Sequence, residues 1–265
     1  MYSFEYQHPK TVADVAAVLA SDPDAKVVAG GMTLIPTLKQ RLAMPSALVD
    51  LRDIAELRGV RADGDTIVIG AMTPHADVAY DATVRDRIPA LAHLARHIGD
   101  AQVRNRGTIG GSIANADPAA DYPAAVVGLN ATIVTSTREI AADDFFTAMF
   151  ETALEEGEIV TAVRFPVPKR AGYAKFKHPA SRYAVVGVMV AETAGGVRVA
   201  VTGAGPSVFR VAEMEQALAG SFSPDALAGI SVPADGLNSD IHASADYRAH
   251  LVTLMAKRAV VAATG

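Results

Sequence analysis

The chain has 265 residues, 24 Lys and Arg against 29 Asp and Glu, a net charge of −5 and 50% hydrophobic residues. That length suits about two domains or one large one, and the composition is too apolar for disorder and too acidic to favour a phosphate-backbone partner. Cysteine is absent, which excludes disulfides, thiolate zinc sites, cysteine nucleophiles and cysteine-held iron–sulfur clusters, and leaves any redox chemistry to an organic cofactor or a partner chain.

In chain order, Thr11, Asp14 and the apolar set Val12, Val15, Val18 and Leu19 predict a capped amphipathic helix. Lys26–Ala29 reads as a short strand running into Gly30-Gly31, after which Thr33 caps a helix with Leu34, Ile35, Leu38 and Leu42 on its apolar face. Ala47–Leu51 is a strand, and Val60–Ile69 a hairpin turning at Asp63-Gly64. Thr73-Pro74 reads as an N-cap with proline in the first helical position. A helix over Pro89–Ile98 precedes a long loop, Gly99 to Pro118, then a helix over Asp121–Leu129 and a strand over Ala131–Thr135.

The Pro/Gly cluster at Pro166–Gly172 marks a boundary. Past it come three strand-like runs, Tyr173–Lys177, Tyr183–Glu192 and Gly196–Gly203, with Gly195-Gly196 as a hairpin turn. Helices over Val211–Ala219 and Asp246–Val261 end the chain, the second burying Leu251, Leu254, Met255 and Val261. The expected class is α+β, with residues 1–170 in one domain (subdomains about 1–55 and 56–170), and residues 171–265 forming a three-stranded sheet with helices on one side.

Met1–Pro9 lacks the basic and apolar regions of a signal peptide. The longest clean apolar stretch, Tyr183–Ala191, is far short of the ~20 residues that span a bilayer. The expectation is a cytoplasmic protein with no membrane span and no nucleic-acid partner.

Two glycine-rich loops carry the chemical signal: Val28–Pro36 (VAGGMTLIP) and Arg104–Asn115 (RNRGTIGGSIAN). Backbone N–H groups at side-chain-free positions can converge on an anion, and a following helix N-terminus adds positive potential. Neither loop fits the dinucleotide or P-loop fingerprint, and a Gly-Gly pair alone also suits a turn. Other candidates stay open between roles. Asp117 and Asp121 suit helix N-terminal charges, and Arg104 and Arg106 suit either a phosphate clamp or surface ion pairs. His93 and His97, at i and i+4, lack a third ligand and read as structural. No catalytic side chain and no metal site emerge.

Ala29–Pro36 and Gln102–Asp121, together with the opening FEYQHPKTVADVAAVLA and YAKFKHPASRYAVVGVMVA at Tyr173–Ala191, resemble the medium, flavin-carrying subunit of molybdenum hydroxylases, of the carbon monoxide and xanthine dehydrogenase type. The resemblance implies a two-part FAD-binding region of the PCMH type, followed by a small C-terminal domain. It implies that Ala29, Gly30, Gly31, Met32, Thr33, Leu34 and Ile35 wrap the FAD pyrophosphate, with Gly107, Thr108, Ile109, Gly110 and Gly111 against it from the other subdomain. Asp121 would face ribityl or ribose hydroxyls, and Ile98 would cover the nucleotide. Val160 and Lys177 would approach the isoalloxazine ring, although Lys177 alone also reads as a solvated strand lysine. Ser112 departs from the family's usual Asn, which alters a side-chain contact but not a backbone cradle.

The resemblance further implies an electron-transfer subunit. Electrons would come from iron–sulfur clusters on a small partner chain and pass through FAD to an external acceptor. The substrate would be oxidised on a large molybdopterin-binding chain, in a dimer of heterotrimers. A stand-alone flavin reductase or oxidase on the same fold, and a non-catalytic assembly subunit, are the competing readings.

Overall fold

A computed structural model describes Met1–Gly265 as an α+β protein built on three principal sheets. The N-terminal sheet is parallel, with Ala47–Asp50 between Glu5–Gln7 and Lys26–Val28. The helix Val12–Ser21 connects the two outer strands, and the Thr11 side chain accepts from the Asp14 N–H at 3.1 Å, as its capping sequence predicts. The next helix, Leu34–Lys39, is shorter than its apolar pattern suggests, and its Thr33 makes no side-chain cap. Arg41, at φ 60°, ends it, and Leu42 is left 74% exposed instead of buried.

The second sheet is antiparallel, in the order Val60–Asp63, Thr66–Gly70, Val160–Pro166, Thr132–Thr135, Glu139–Ala141. The predicted hairpin forms, with Gly64 at φ 56° in its turn. Ile67, Ile69, Ile133, Val163 and Phe165 pack against Leu91 and Leu94 of the helix Pro89–Arg96 and Val126 of the helix Tyr122–Gly128 in the largest apolar cluster.

The stretch 99–118, expected as a loop, contains two short helices, Ala101–Arg104 and Ile109–Asn115. Asp100 caps the first by accepting from the Val103 N–H, and Thr108 caps the second by accepting from the Gly111 N–H. Ile109 and Ile113 are fully buried, so core packing outweighs the helix cost of Gly110 and Gly111. Thr73 is not an N-cap: its hydroxyl donates to the Gly59 carbonyl and accepts from the Gly59 N–H, tying two loops together.

The C-terminal sheet is antiparallel: Arg170–Lys177, Ala184–Thr193, Gly196–Thr202 and a short fourth strand, Phe209–Arg210. The turn between its second and third strands sits one residue earlier than expected, at Ala194-Gly195, with Thr193 pairing Gly196. Helices cover both faces of this sheet, not one. The helix Ala245–Thr264 lies so close that a Cβ on Gly172 would stand 2.0 Å from the Ala259 carbonyl oxygen. On the other face a Cβ on Gly128 would meet Met189 Cγ at 2.7 Å. This explains the continuous apolar run of Ala184–Ala191, since a strand covered on both sides has no polar face. Leu251 and Met255 are buried as expected, but Leu254 is half-buried and Val261 is 57% exposed, on the outward face of a helix that still touches the sheet at Ala263. No helix is long and apolar enough to cross a membrane.

His75 begins the helix His75–Tyr80 under the second glycine loop. Its backbone N–H donates to the Gly107 carbonyl at 2.9 Å and its ring packs 5.3 Å from that of Tyr122. Burial, helped by the nearby Arg104 charge, lowers its pKa to about 4. The unfolded chain, with an ordinary histidine near 6.5, therefore binds a proton that the folded chain refuses between those values. The stabilising effect is present above pH 6.5 and is lost as pH falls towards 4. Between pH 7 and pH 5 His75 should account for about 2 kcal/mol of lost stability. Urea unfolding of the parent and of His75→Gln at both pH values checks this, and the variant should show the flatter dependence.

Candidate functional site

The two glycine loops meet at one cavity of about 740 Å³, within the ~300–1,000 Å³ range usual for small-molecule and cofactor sites. The first loop leaves the end of the strand Lys26–Val28. Gly30 lies flat against the second loop, where an added Cβ would stand 2.1 Å from the Arg106 carbonyl oxygen. Gly31 adopts φ +72°, a conformation that side chains disfavour, and turns the chain over the Ile35 side chain. The result is a run of five backbone N–H groups, from Gly30 to Leu34, with no acceptor inside the protein. Such a run is an anion nest, and its polarity needs no ionisable side chain.

The second loop does a different job. Its Ile109 and Gly110 N–H groups bond to the Thr73 and Ala71 carbonyls at 3.2 and 2.8 Å, and its Gly107 N–H to Val103 at 2.7 Å. The Gly111 N–H is held by the Thr108 hydroxyl. Only the Thr108 N–H of this loop's glycine-rich core lacks an acceptor. The second loop therefore serves as a rigid backing for the first. Gly110 is required by contact, since a Cβ there would come within 2.5 Å of Ala71 Cβ.

Of the residues expected at the site, all but Ile35, Ile109 and Lys177 line this cavity. Ile35 supports Gly31 from below, and Ile109 is a fully buried core residue. Ser112 joins the lining, half-buried. Ile98, Val160, Leu51, Met72 and Ile159 add apolar surface suited to flat rings. Lys177 is exposed and apart from the lining, near a register irregularity of its strand. Arg104 makes no carboxylate contact. It donates to the Ile98 and Gly99 carbonyls, both at 3.0 Å. His93 and His97 stack at 4.3 Å, and no group of three potential metal ligands forms anywhere in the chain.

Asp121 occupies the N-cap position of the helix Tyr122–Gly128, but its side chain makes no cap hydrogen bond and is not free. It is buried, accepts from the Tyr173 hydroxyl at 2.5 Å, and pairs with the Lys175 ammonium at 2.8 Å. Burial pushes its carboxyl up, against the lowering pull of Lys175 and Tyr173. Burial and this carboxylate raise the Tyr173 hydroxyl well above its ordinary range, so it remains a donor. Glu158, also on the wall, behaves oppositely. The Arg138 guanidinium and hydrogen bonds from the Glu155 N–H, Thr135 and Thr137 hold its carboxyl down at about 2 despite burial.

Sequence reading missed Tyr173, Lys175, Glu158, His75 and the wall segment Ser181–Tyr183. Strand alternation carried one usable signal: residues 173, 175 and 177 share a face, and Lys175 is the member nearest the buried Tyr173. The five free amides suit a pyrophosphate and the apolar surface suits the flat rings, so the residues present fit FAD.

Residues 2–168 match the family described as the FAD binding domain in molybdopterin dehydrogenase. The carbon monoxide dehydrogenase medium chain of Hydrogenophaga pseudoflava is 37% identical over 98% of this chain and 96% of its own length. The nicotine 6-hydroxylase medium subunit of Paenarthrobacter nicotinovorans is also 37% identical, over 98% of this chain and 97% of its own. Among solved structures, a chain of quinoline 2-oxidoreductase from Pseudomonas putida 86 superposes with a TM-score of 0.90 at 31% identity, covering 100% of this chain and 98% of that one. By family, fold and cavity alike, this chain belongs to the FAD-binding medium subunits of the molybdopterin dehydrogenases, an oxidoreductase subunit whose cofactor is FAD.

Proposed function

We propose that this chain is the flavin station of a three-chain dehydrogenase. A large molybdopterin-binding chain would oxidise the substrate, and a small chain would relay electrons through iron–sulfur clusters to this one for delivery to an external acceptor. The assembly would be a dimer of such heterotrimers. The observation that carries the reading is the Gly30–Leu34 run of free amides, backed at van der Waals distance by a second loop whose own amides are nearly all bonded. The lack of cysteine agrees with clusters held elsewhere. The medium-chain relatives are components of complexes by name.

When bound, FAD supplies the capacity to take electrons and release them to an acceptor, chemistry that no side chain here provides. The chain's own contribution is binding and orientation. Residues Ala29–Leu34 would hold the pyrophosphate through backbone dipoles, with Gly107–Gly111 fixing the loop's shape. Ile98 would cover the nucleotide, and Val160 would border the flat ring. Asp121, locked by Tyr173 and Lys175, would present an oxygen edge to hydroxyls of the linker. Lys177 has no part in this arrangement. Residues 1–170 would form the FAD-binding domain and 171–265 a domain closing the cavity through Ser181–Tyr183.

The purified chain should be yellow, or turn so with added FAD, and bind one FAD per chain by calorimetry. Gly30→Ala should weaken FAD binding at least tenfold while far-ultraviolet circular dichroism stays parental, because its methyl group must displace the Arg106 carbonyl. Gly220→Ala, with nothing within 4 Å of the added carbon, should bind like the parent. Purification from the native host tests the assembly. A large molybdopterin chain and a small iron–sulfur chain should elute with this one in equal amounts, whereas full turnover by this chain alone would contradict the assignment.

A further inference from the structure

Three consecutive backbone carbonyls, His97, Ile98 and Gly99, follow the helix Pro89–Arg96, and each accepts from a cation. Arg104 serves Ile98 and Gly99, and Arg182 also reaches Gly99 at 3.2 Å. Lys175 serves His97 at 2.9 Å, and its ammonium goes further. It also donates to the Arg182 carbonyl at 3.0 Å and pairs with Asp121 at 2.8 Å. An ammonium has three protons, and here three acceptors from three separate segments take them. The side chain is 5% exposed.

Each of those segments forms part of the cavity wall. Ile98 and Gly99 follow His97, Asp121 lines the cavity itself, and Ser181 and Tyr183 flank Arg182. Arg182 sits at φ 64°, a left-handed conformation that costs a non-glycine residue about 1 kcal/mol or more and needs holding in place. Within its loop, the Arg182 N–H bonds to the His178 carbonyl, and His178 Nδ1 accepts from the Ala180 and Ser181 N–H groups. These bonds shape the turn without fastening it to the body of the protein. The fastenings are Lys175 on the Arg182 carbonyl, Arg182 on Gly99, and the His178 ring against His242 at 4.4 Å.

We propose that Lys175 is a positioning residue for the flavin cavity, its single ammonium latching the 178–183 loop and the 97–99 turn onto Asp121 so that three pieces of wall keep one register. Without it the loop would relax from its strained conformation and the cavity would open on that side. The inference rests on FAD occupying this cavity, but the latch itself can be read in the FAD-free chain.

The test is hydrogen exchange on the full chain. Lys175→Met leaves Asp121 buried and unpaired, which by itself destabilises. The double variant Lys175→Met with Asp121→Asn removes that charge, and it carries the test should the single variant fail to fold. In the FAD-free double variant the Arg182 and Ala184 amides should exchange at least tenfold faster than in the parent, while global unfolding stays close to parental. With FAD added, flavin release should quicken about tenfold and the visible circular dichroism of the bound flavin should change. Arg198→Met breaks a different buried cation, bonded to the Val127 carbonyl and Asp143, and should alter neither loop exchange nor the flavin signal. Parental loop exchange in the double variant, an unchanged flavin spectrum, or the same changes in Arg198→Met would overturn the proposal.

Discussion

The structure turns on the contact between Gly30 and the Arg106 carbonyl, where two backbones approach as closely as a missing side chain allows. Five amides of the first loop, starting at this contact, stay without an acceptor inside the protein. The second loop can act as a wall because segment 71–75 holds it through the Ala71 and Thr73 carbonyls and the His75 N–H. That segment in turn follows the strand Thr66–Gly70, so the anion nest is referenced to the central antiparallel sheet. Glycine is needed on both sides of the junction: at Gly30 for the approach, and at Gly110 for contact with Ala71.

Charge is distributed with the same economy. Exposed pairs such as Lys169 with Glu192 contribute at most about 1 kcal/mol each and are screened by salt. The set around Asp121 differs in kind, since removing one partner of a buried pair costs about 3–5 kcal/mol, whereas the Glu158 set pairs a buried carboxylate with the half-exposed Arg138. Both sets stand on the cavity wall. Each uses a carboxylate to tie together segments distant in sequence, Asp121 to the strand Arg170–Lys177 and Glu158 to the turn around Thr135–Arg138. The cavity is thus framed by polar clamps and lined by apolar side chains.

The first loop was readable because strand, glycine pair and helix start follow one another within ten residues, and such a local pattern fixes local geometry. The two short helices between Gly99 and Pro118 were not. Each is capped by one side chain, Asp100 or Thr108, and the second is stabilised by distant core contacts of Ile109 and Ile113 that no periodicity over so few residues can display. Leu42 fits an apolar pattern but lies past the end of its helix, and Val261 fits one but faces outward. Lys177 was expected at the site from likeness to relatives but lies apart from the cavity past the bulge near Phe176, whereas Lys175 reaches Asp121, some fifty residues away in sequence. Free and occupied amides in the two loops look alike in sequence, because both read as glycine-rich.

The double-sided burial of the C-terminal sheet limits how the protein can move. Met189, Ala191 and Ala200 belong to the same apolar cluster as Val126 of the central region, while Val188, Val190 and Val199 face the long helix with Met255. Swinging the sheet away with its long helix attached would still bring the whole Met189, Ala191 and Ala200 layer into water, at about 25 cal/mol per Å² of apolar surface. A hinge between the two regions is therefore a poor route for cofactor exchange. The short turn from His178 to Tyr183, mostly exposed, also borders the cavity, and its displacement would uncover far less apolar area.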